Sequence, residues 1–187
     1  AELPWGRVTA VAGDVTAPAC GVEEEVRADV LWHCAASLRY EDRYAQEIHD
    51  TNVSGTRHAI ELGRRAGVGE LNQISTAYVA GGRQGVIREV PVDGGAAQNH
   101  YERSKVAAEA LVMGVRDWQV RTLRPSIVVG HSRTMAATTF SGMYGFVRQM
   151  VQYRGVLERT QVGLFRSRRM RIRATAAGPL DLVPVDA

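Results

Sequence analysis

Lysine is nearly absent from this 187-residue chain: Lys105 stands alone among 23 basic residues, and the other 22 are arginine. At one position only, the chain keeps a compact ammonium on a flexible stem, a group that a planar guanidinium cannot imitate. Cysteine is scarce as well. Cys20 and Cys34 cannot build a disulfide framework, which excludes stapled secreted scaffolds and fits a reducing, cytoplasmic setting. No apolar run reaches the ~18 residues of a membrane helix and no charged-then-apolar leader opens the chain, so a soluble protein is expected. Five histidines (His33, His49, His58, His100, His131) show no HExxH or paired-ligand spacing, and no metal site is expected. Aromatic residues make up only 6%, and the arginines lack interleaved stacking partners. With a net charge of only +3, nucleic acid is not expected as a partner.

What is present suits one ordinary core, with 45% hydrophobic and 23% charged residues. "RVTAVAGD" (7–14), "ADVLWHCAA" (28–36), "LNQISTAYVAG" (71–81) and "WQVRTLRPSIVVG" (118–130) are short apolar runs that stop at small or polar residues, as buried strands do. Between the second and third, residues 41–67 carry Ile48, Val53, Thr56, Ile60 and Gly63 at helical spacing, and Gly67 can close the helix. Residues 101–115 are rich in helix formers. Strands alternating with such helices imply right-handed crossovers and a parallel α/β sheet of the doubly wound, Rossmann type. Later, 140–153 can form a helix, "RSRRMRIR" (166–173) reads as a basic loop or edge strand, and "LDLVPVDA" (180–187) as a strand running into a cap at Asp186.

In parallel α/β sheets the chemistry gathers at the carboxyl ends of the strands. Those ends carry Asp14, then His33 to Ser37, then Ser75 and Thr76, then Pro125 and Ser126. Tyr101 and Lys105 lie four apart on the next helix, one turn from each other on one face. His33 reads as a packed strand-end histidine. "GGRQGV" (81–86) reads as a turn.

Together these segments resemble the extended short-chain dehydrogenase/reductases. "AGDVT" is similar to the adenine-contacting strand end, which implies Asp14 and Val15 as cofactor contacts. "WHCAAS" is similar to the H-x-A-A segment, with Ala35, Ala36 and Ser37 beside ribose and phosphates. Asn52 matches the asparagine of "NVSGT". "ISTAYVAG" is similar to the strand carrying the catalytic serine or threonine; counting five back from Gly81 places that role on Thr76, with the adjacent Ser75 as competitor for it and as a cofactor contact. "YERSK" is similar to the Tyr-x-x-x-Lys pair. "RPSIVVG" is similar to the segment beside the nicotinamide, which implies Pro125, Ser126, Ile127 and Val128. "N-x-Y-E-R-S-K-x-x-A-E", "RPSIVVGHSRT" and "LDLVPVD" resemble the branch of thioester reductase domains and fatty acyl-CoA reductases.

The resemblance implies a catalytic set of Thr76, Tyr101 and Lys105, with substrate contacts at Ala77, Tyr78, Arg133 and Thr134. It implies NADPH, with NAD as the alternative, reducing a small-molecule or carrier-bound acyl thioester; a homodimer is compatible with it. An ammonium near a phenol favours the phenolate, so Lys105 is expected to bring the pKa of Tyr101 down. Lys105 would also bond the nicotinamide ribose. The family's first βαβ unit, with its phosphate-binding glycine loop, is not found. Residues 1–187 are therefore expected to form a partial NAD(P)-binding domain that binds cofactor poorly, with 131–180 contributing to the substrate region. Sugar-nucleotide epimerases or dehydratases and 3β-hydroxysteroid dehydrogenases share the core motifs and remain alternatives. A non-catalytic dinucleotide-binding regulator is the alternative of another class.

Overall fold

A computed structural model describes residues 5–138, 142–161, 163 and 181–186. The chain divides into two compact units, Ala1–Pro125 and Ser126–Ala187. In the first, β1 (Val30–His33), β2 (Glu70–Ile74) and β3 (Gln119–Leu123) form one parallel sheet in that order. Leu31 lies opposite Leu71, and Leu71 opposite Val120. Between β1 and β2 run α1 (Ala45–His49), a wide π turn over Asp50–Ser54 and α2 (Gly55–Ala66); α3 (His100–Met113) joins β2 to β3. This is the parallel α/β alternation that the sequence predicts.

Ile60 on α2, Leu71 on β2, Val112 on α3 and Val115 just beyond it form a core, with Leu31, Leu111, Trp118 and Val120 packed against it. Removing apolar area from water, at ~25 cal/mol per Å², is what holds both helices to the sheet. Gly63 makes the approach close enough, since a Cβ there would stand 2.8 Å from the far edge of the Trp118 ring. Gly67 ends α2 as expected. At φ 80° its N–H donates to the Arg64 carbonyl (3.4 Å) while Val68 N–H donates to Gly63 (2.9 Å), a Schellman closure.

Three elements differ from expectation. No strand forms over 7–14, where Val8 and Val11 are 58% and 44% exposed. Strand character needs a ladder partner, and no described segment pairs with these residues. The run 118–130 is broken after Leu123, because Pro125 has no N–H to continue a ladder. The helix over 41–67 carries the π turn, which places Asn52 inward at 2% exposure.

In the second unit β4 (Ile127–Val129) pairs in parallel with β5 (Leu182–Pro184), and α4 spans Gly142–Thr160. Helix α4 outruns the expected 140–153 through "RGVLERT", where Arg154 and Glu158 pair one turn apart (3.4 Å). Asp186 gives its carboxylate to Ser132 N–H and Oγ–H, both at 2.7 Å. The basic run 166–173 lies outside the described residues. Among the described residues no helix is long and apolar enough to cross a membrane.

Candidate active site

Thr76 follows β2 directly. Its Oγ1 accepts from Tyr78 N–H (3.2 Å) and so caps a tight turn over Ala77–Ala80. Ala77 N–H donates to the Pro125 carbonyl (2.9 Å), joining the carboxyl ends of β2 and β3. Tyr101 sits in the first turn of α3, which is built by reciprocal capping. Glu102 N–H donates to Asn99 Oδ1 (2.9 Å), while the Glu102 carboxylate takes Gln98 N–H (2.7 Å) and the Asn99 amide (2.9 Å). This is a capping-box variant, its return bond made to the N–H one residue before the cap. Its signature, Asn-x-x-Glu at 99–102, stands in the sequence, and the reading from motifs alone passed over it.

The cap aims Tyr101 at the strand end, beside the Thr76 side chain, whose polar contact works to lower the pKa of the phenol. One turn on, Lys105 Nζ donates to the Ile74 carbonyl at 2.7 Å. The three expected catalytic side chains thus meet at the carboxyl end of β2. They are more enclosed than an open cleft would leave them, with Thr76, Tyr101 and Lys105 at 6%, 5% and 5% exposure. A cavity of about 600 Å³ lies nearby, beside Ile74, Val90, Met113, Leu123 and Pro125, and none of the three lines it.

The expectation that Lys105 brings the phenol down is not met. Burial is the larger effect and raises the pKa of Tyr101, the Thr76 contact opposes it, and Tyr78 adds to the rise. Burial also lowers the pKa of Lys105, against the pull of Glu109 and Cys34. Glu109 is itself 2% exposed and holds Arg124 through two bonds, 3.0 and 2.7 Å. His33, packed at 7% exposure, is pushed down to about 4 by burial and then by Lys105. It meets Thr56 Oγ1 at 3.1 Å; that hydroxyl donates to the Asn52 carbonyl (2.7 Å), so His33 Nε2–H is the donor.

Asn52 bridges two elements. Its Oδ1 accepts from Ser37 N–H (2.7 Å), and its Nδ2 donates to the Ser37 carbonyl (3.1 Å) and to Ser104 Oγ (2.8 Å). Asp14 serves a turn, its Oδ1 accepting Thr16 N–H (2.8 Å) and Oγ–H (2.7 Å), which hold its pKa down. The Val15 carbonyl faces His58 Nδ1 at 3.0 Å. Ser126, Ile127, Val128, Arg133 and Thr134 belong to the second unit. There Ser126 Oγ–H donates to Asp181 (2.9 Å), Ile127 and Val128 pair with Leu182 and Val183, and the Arg133 and Thr134 N–H groups face His131 Nδ1.

Several features fit the nicotinamide-ribose half of a dinucleotide. Ser75 Oγ is buried without a partner, Lys105 has hydrogens beyond the one given to Ile74, and Ala35 and Ala36 leave the end of β1 uncrowded. For the pyrophosphate the fit is absent: Gly81, at φ 58°, and Gly82, whose N–H donates to Ala96 (3.0 Å), fold back as a turn and open no helix.

Among curated proteins, the chain is 34% identical over 107 residues to sterol demethylase protein B of Methylococcus capsulatus, covering 54% of this chain and 32% of that protein. It is 31% identical over 133 residues to the decarboxylating sterol-4-alpha-carboxylate 3-dehydrogenase of Saccharomyces cerevisiae, covering 63% and 36%. The chain thus spans about a third of the length of these relatives. Among solved structures it is similar to the terminal R domain from the myxalamid PKS-NRPS biosynthetic pathway, with TM-score 0.69 and 29% identity over 93% of this chain and 42% of that one. Residues 2–187 match the NAD-binding family described as Male sterility protein. With that match, and with the Thr76, Tyr101 and Lys105 cluster at the end of a parallel strand, the chain belongs to this family, within the thioester reductase-like branch of the extended short-chain dehydrogenase/reductases.

Proposed function

We propose that this chain forms the catalytic part of an NAD(P)H-dependent oxidoreductase that reduces an acyl thioester, small or carrier-borne, or a related carbonyl. The observation that carries this reading is the convergence of Thr76, Tyr101 and Lys105 at the end of β2, with Lys105 Nζ on the Ile74 carbonyl one helical turn from Tyr101. Bound beside them, the reduced nicotinamide supplies the hydride. Thr76 and Tyr101 hold the carbonyl oxygen by two hydrogen bonds, and Tyr101 gives it a proton as the carbon is reduced. A phenol kept protonated by burial suits this direction, because the donor must hold its proton until the oxygen turns basic. Lys105 keeps β2 and α3 in register through Ile74, and its free hydrogens would bond the nicotinamide ribose. Ser75, Asn52, Asp14 and Val15 support cofactor binding, and Ala77 and Tyr78 face substrate. NADPH is the preferred cofactor and the cytoplasm the expected compartment.

The test is Tyr101→Phe in the full-length protein, with turnover followed by cofactor absorbance. A fall of about 100-fold is expected, with cofactor affinity nearly unchanged. Turnover within about threefold of wild type would sink the assignment. The likeness to sterol dehydrogenases favours a second reading, oxidation of a secondary alcohol on a sterol-like skeleton in the same site. Assay of an acyl thioester with NADPH against a 3β-hydroxysterol with NADP⁺ separates the two.

A further inference from the structure

Tyr40 belongs to none of the motifs quoted above, and it lies in the loop between β1 and α1. Its ring centroid is 5.0 Å from that of Tyr101, with the planes tilted by 53°, inside the range of favourable aromatic pairs. The outer ring is 43% exposed and the inner one 5%, so Tyr40 takes the water contact that Tyr101 is spared. The loop is tied on both sides of Tyr40. Arg39 pairs with Glu47 on α1 (2.9 Å), and its guanidinium lies 4.0 Å over the Tyr44 ring. Asp42 lies 3.4 Å from Nε2 of His100, the residue before Tyr101. Both contacts lie at the surface and favour a loop placed beside the start of α3, where the Tyr40 ring meets its neighbour.

We propose that Tyr40 is a positioning residue for Tyr101, its ring closing one face of the phenol against water and holding the hydroxyl on Thr76. The proposal rests on the proton-donor role given to Tyr101 above. The groups that act on Tyr101 are Thr76 and Tyr78 after β2 and the Tyr40 ring from the loop; Glu102 acts on Tyr40, Asp42 and His100 face each other, and Cys34 and Glu109 act on Lys105. Burial is the main cause that raises the Tyr101 phenol, so loss of the covering ring lets water in and lets ionisation begin at lower pH.

In the full-length protein Tyr40→Phe keeps the ring and should match wild type. Tyr40→Ala should lower kcat about tenfold, the scale of a misplaced donor, with KM within about twofold. It should also bring phenolate formation at Tyr101 to lower pH, read as the difference in phenolate absorbance between each protein and the same protein carrying Tyr101→Phe. An unmoved phenolate titration, or a loss carried by KM alone, overturns the proposal; the latter would make Tyr40 a substrate wall. The titration needs no turnover, so it still decides the point if Tyr101→Phe leaves activity intact and the reductase reading fails. Should Tyr40→Ala not fold, Asp42→Asn loosens the same loop from the surface and should move the titration in the same direction by less; no movement there counts against the proposal.

Discussion

At the scale of residues, Lys105 shows why one lysine survives among arginines. The residue is 5% exposed and its ammonium donates to the Ile74 carbonyl at 2.7 Å, a contact for a compact group with freely rotating donors. Lys105→Arg should lose turnover by about 100-fold, nearly as much as Lys105→Met, because shape and not charge is what the site needs. Steady-state rates decide it, and activity restored by arginine would make the lone lysine an accident of composition. His33 yields a pH dependence. Its native pKa of about 4 lies below the ordinary 6.5, so the unfolded chain takes up the proton first. Stability is unaffected above 6.5 and falls as pH drops from 6.5 to about 4, by about 3 kcal/mol at most. In urea unfolding over that range, His33→Gln should show a shallower acid loss than wild type.

At the scale of elements, the site depends on how strands stop and helices start. The turn at Gly81 turns the chain from the Thr76 cap back on Ala96, ahead of the Asn99 cap that aims Tyr101. Gly81 has φ 58°, and a Cβ there would run into the Ala96 carbonyl. Gly67 has φ 80° with open space around it. Gly67→Ala should therefore cost about 1 kcal/mol, from left-handed strain alone. Gly81→Ala should cost more than about 2 kcal/mol, since strain and a backbone clash add. Thermal unfolding of the two variants gives the order directly. The strand and helix order was legible from apolar runs and helical spacing. The π turn at Asp50–Ser54 was not, because the pattern around Val53 and Thr56 reads as ordinary helix; what widens the turn is the tie from Asn52 to Ser37 and Ser104, contacts 15 and 52 residues distant.

At the scale of the whole molecule, one buried lysine makes a reporter of global unfolding. Lys105 is buried on α3 with its amine on the Ile74 carbonyl of β2, so a bulky reagent reaches it far more readily once these two elements separate. Amine-directed labelling at Lys105, followed by peptide mass spectrometry, should be slower in native buffer than in denaturant by about 1000-fold or more, as the open fraction of a stable domain requires. Rapid native labelling would show that α3 frees itself locally. The two units also differ in how they are held. The first has a core of Ile60, Leu71, Val112 and Val115, whereas α4 of the second has no buried residue and leaves Phe146, Val147 and Val151 half-exposed or more.

The sequence by itself determined the parallel α/β order and the closure of α2 at Gly67, because strand ends and helical spacing are local properties, while Thr76, Tyr101 and Lys105 came as expectations from the family resemblance. Only the tertiary structure decided that Thr76 and not Ser75 meets Tyr101, that burial outweighs the ammonium at the phenol, that 7–14 forms no strand, and that Tyr40 covers the site. Each of those turns on which distant groups exclude water from a side chain or offer a backbone a partner, and no local pattern carries that information.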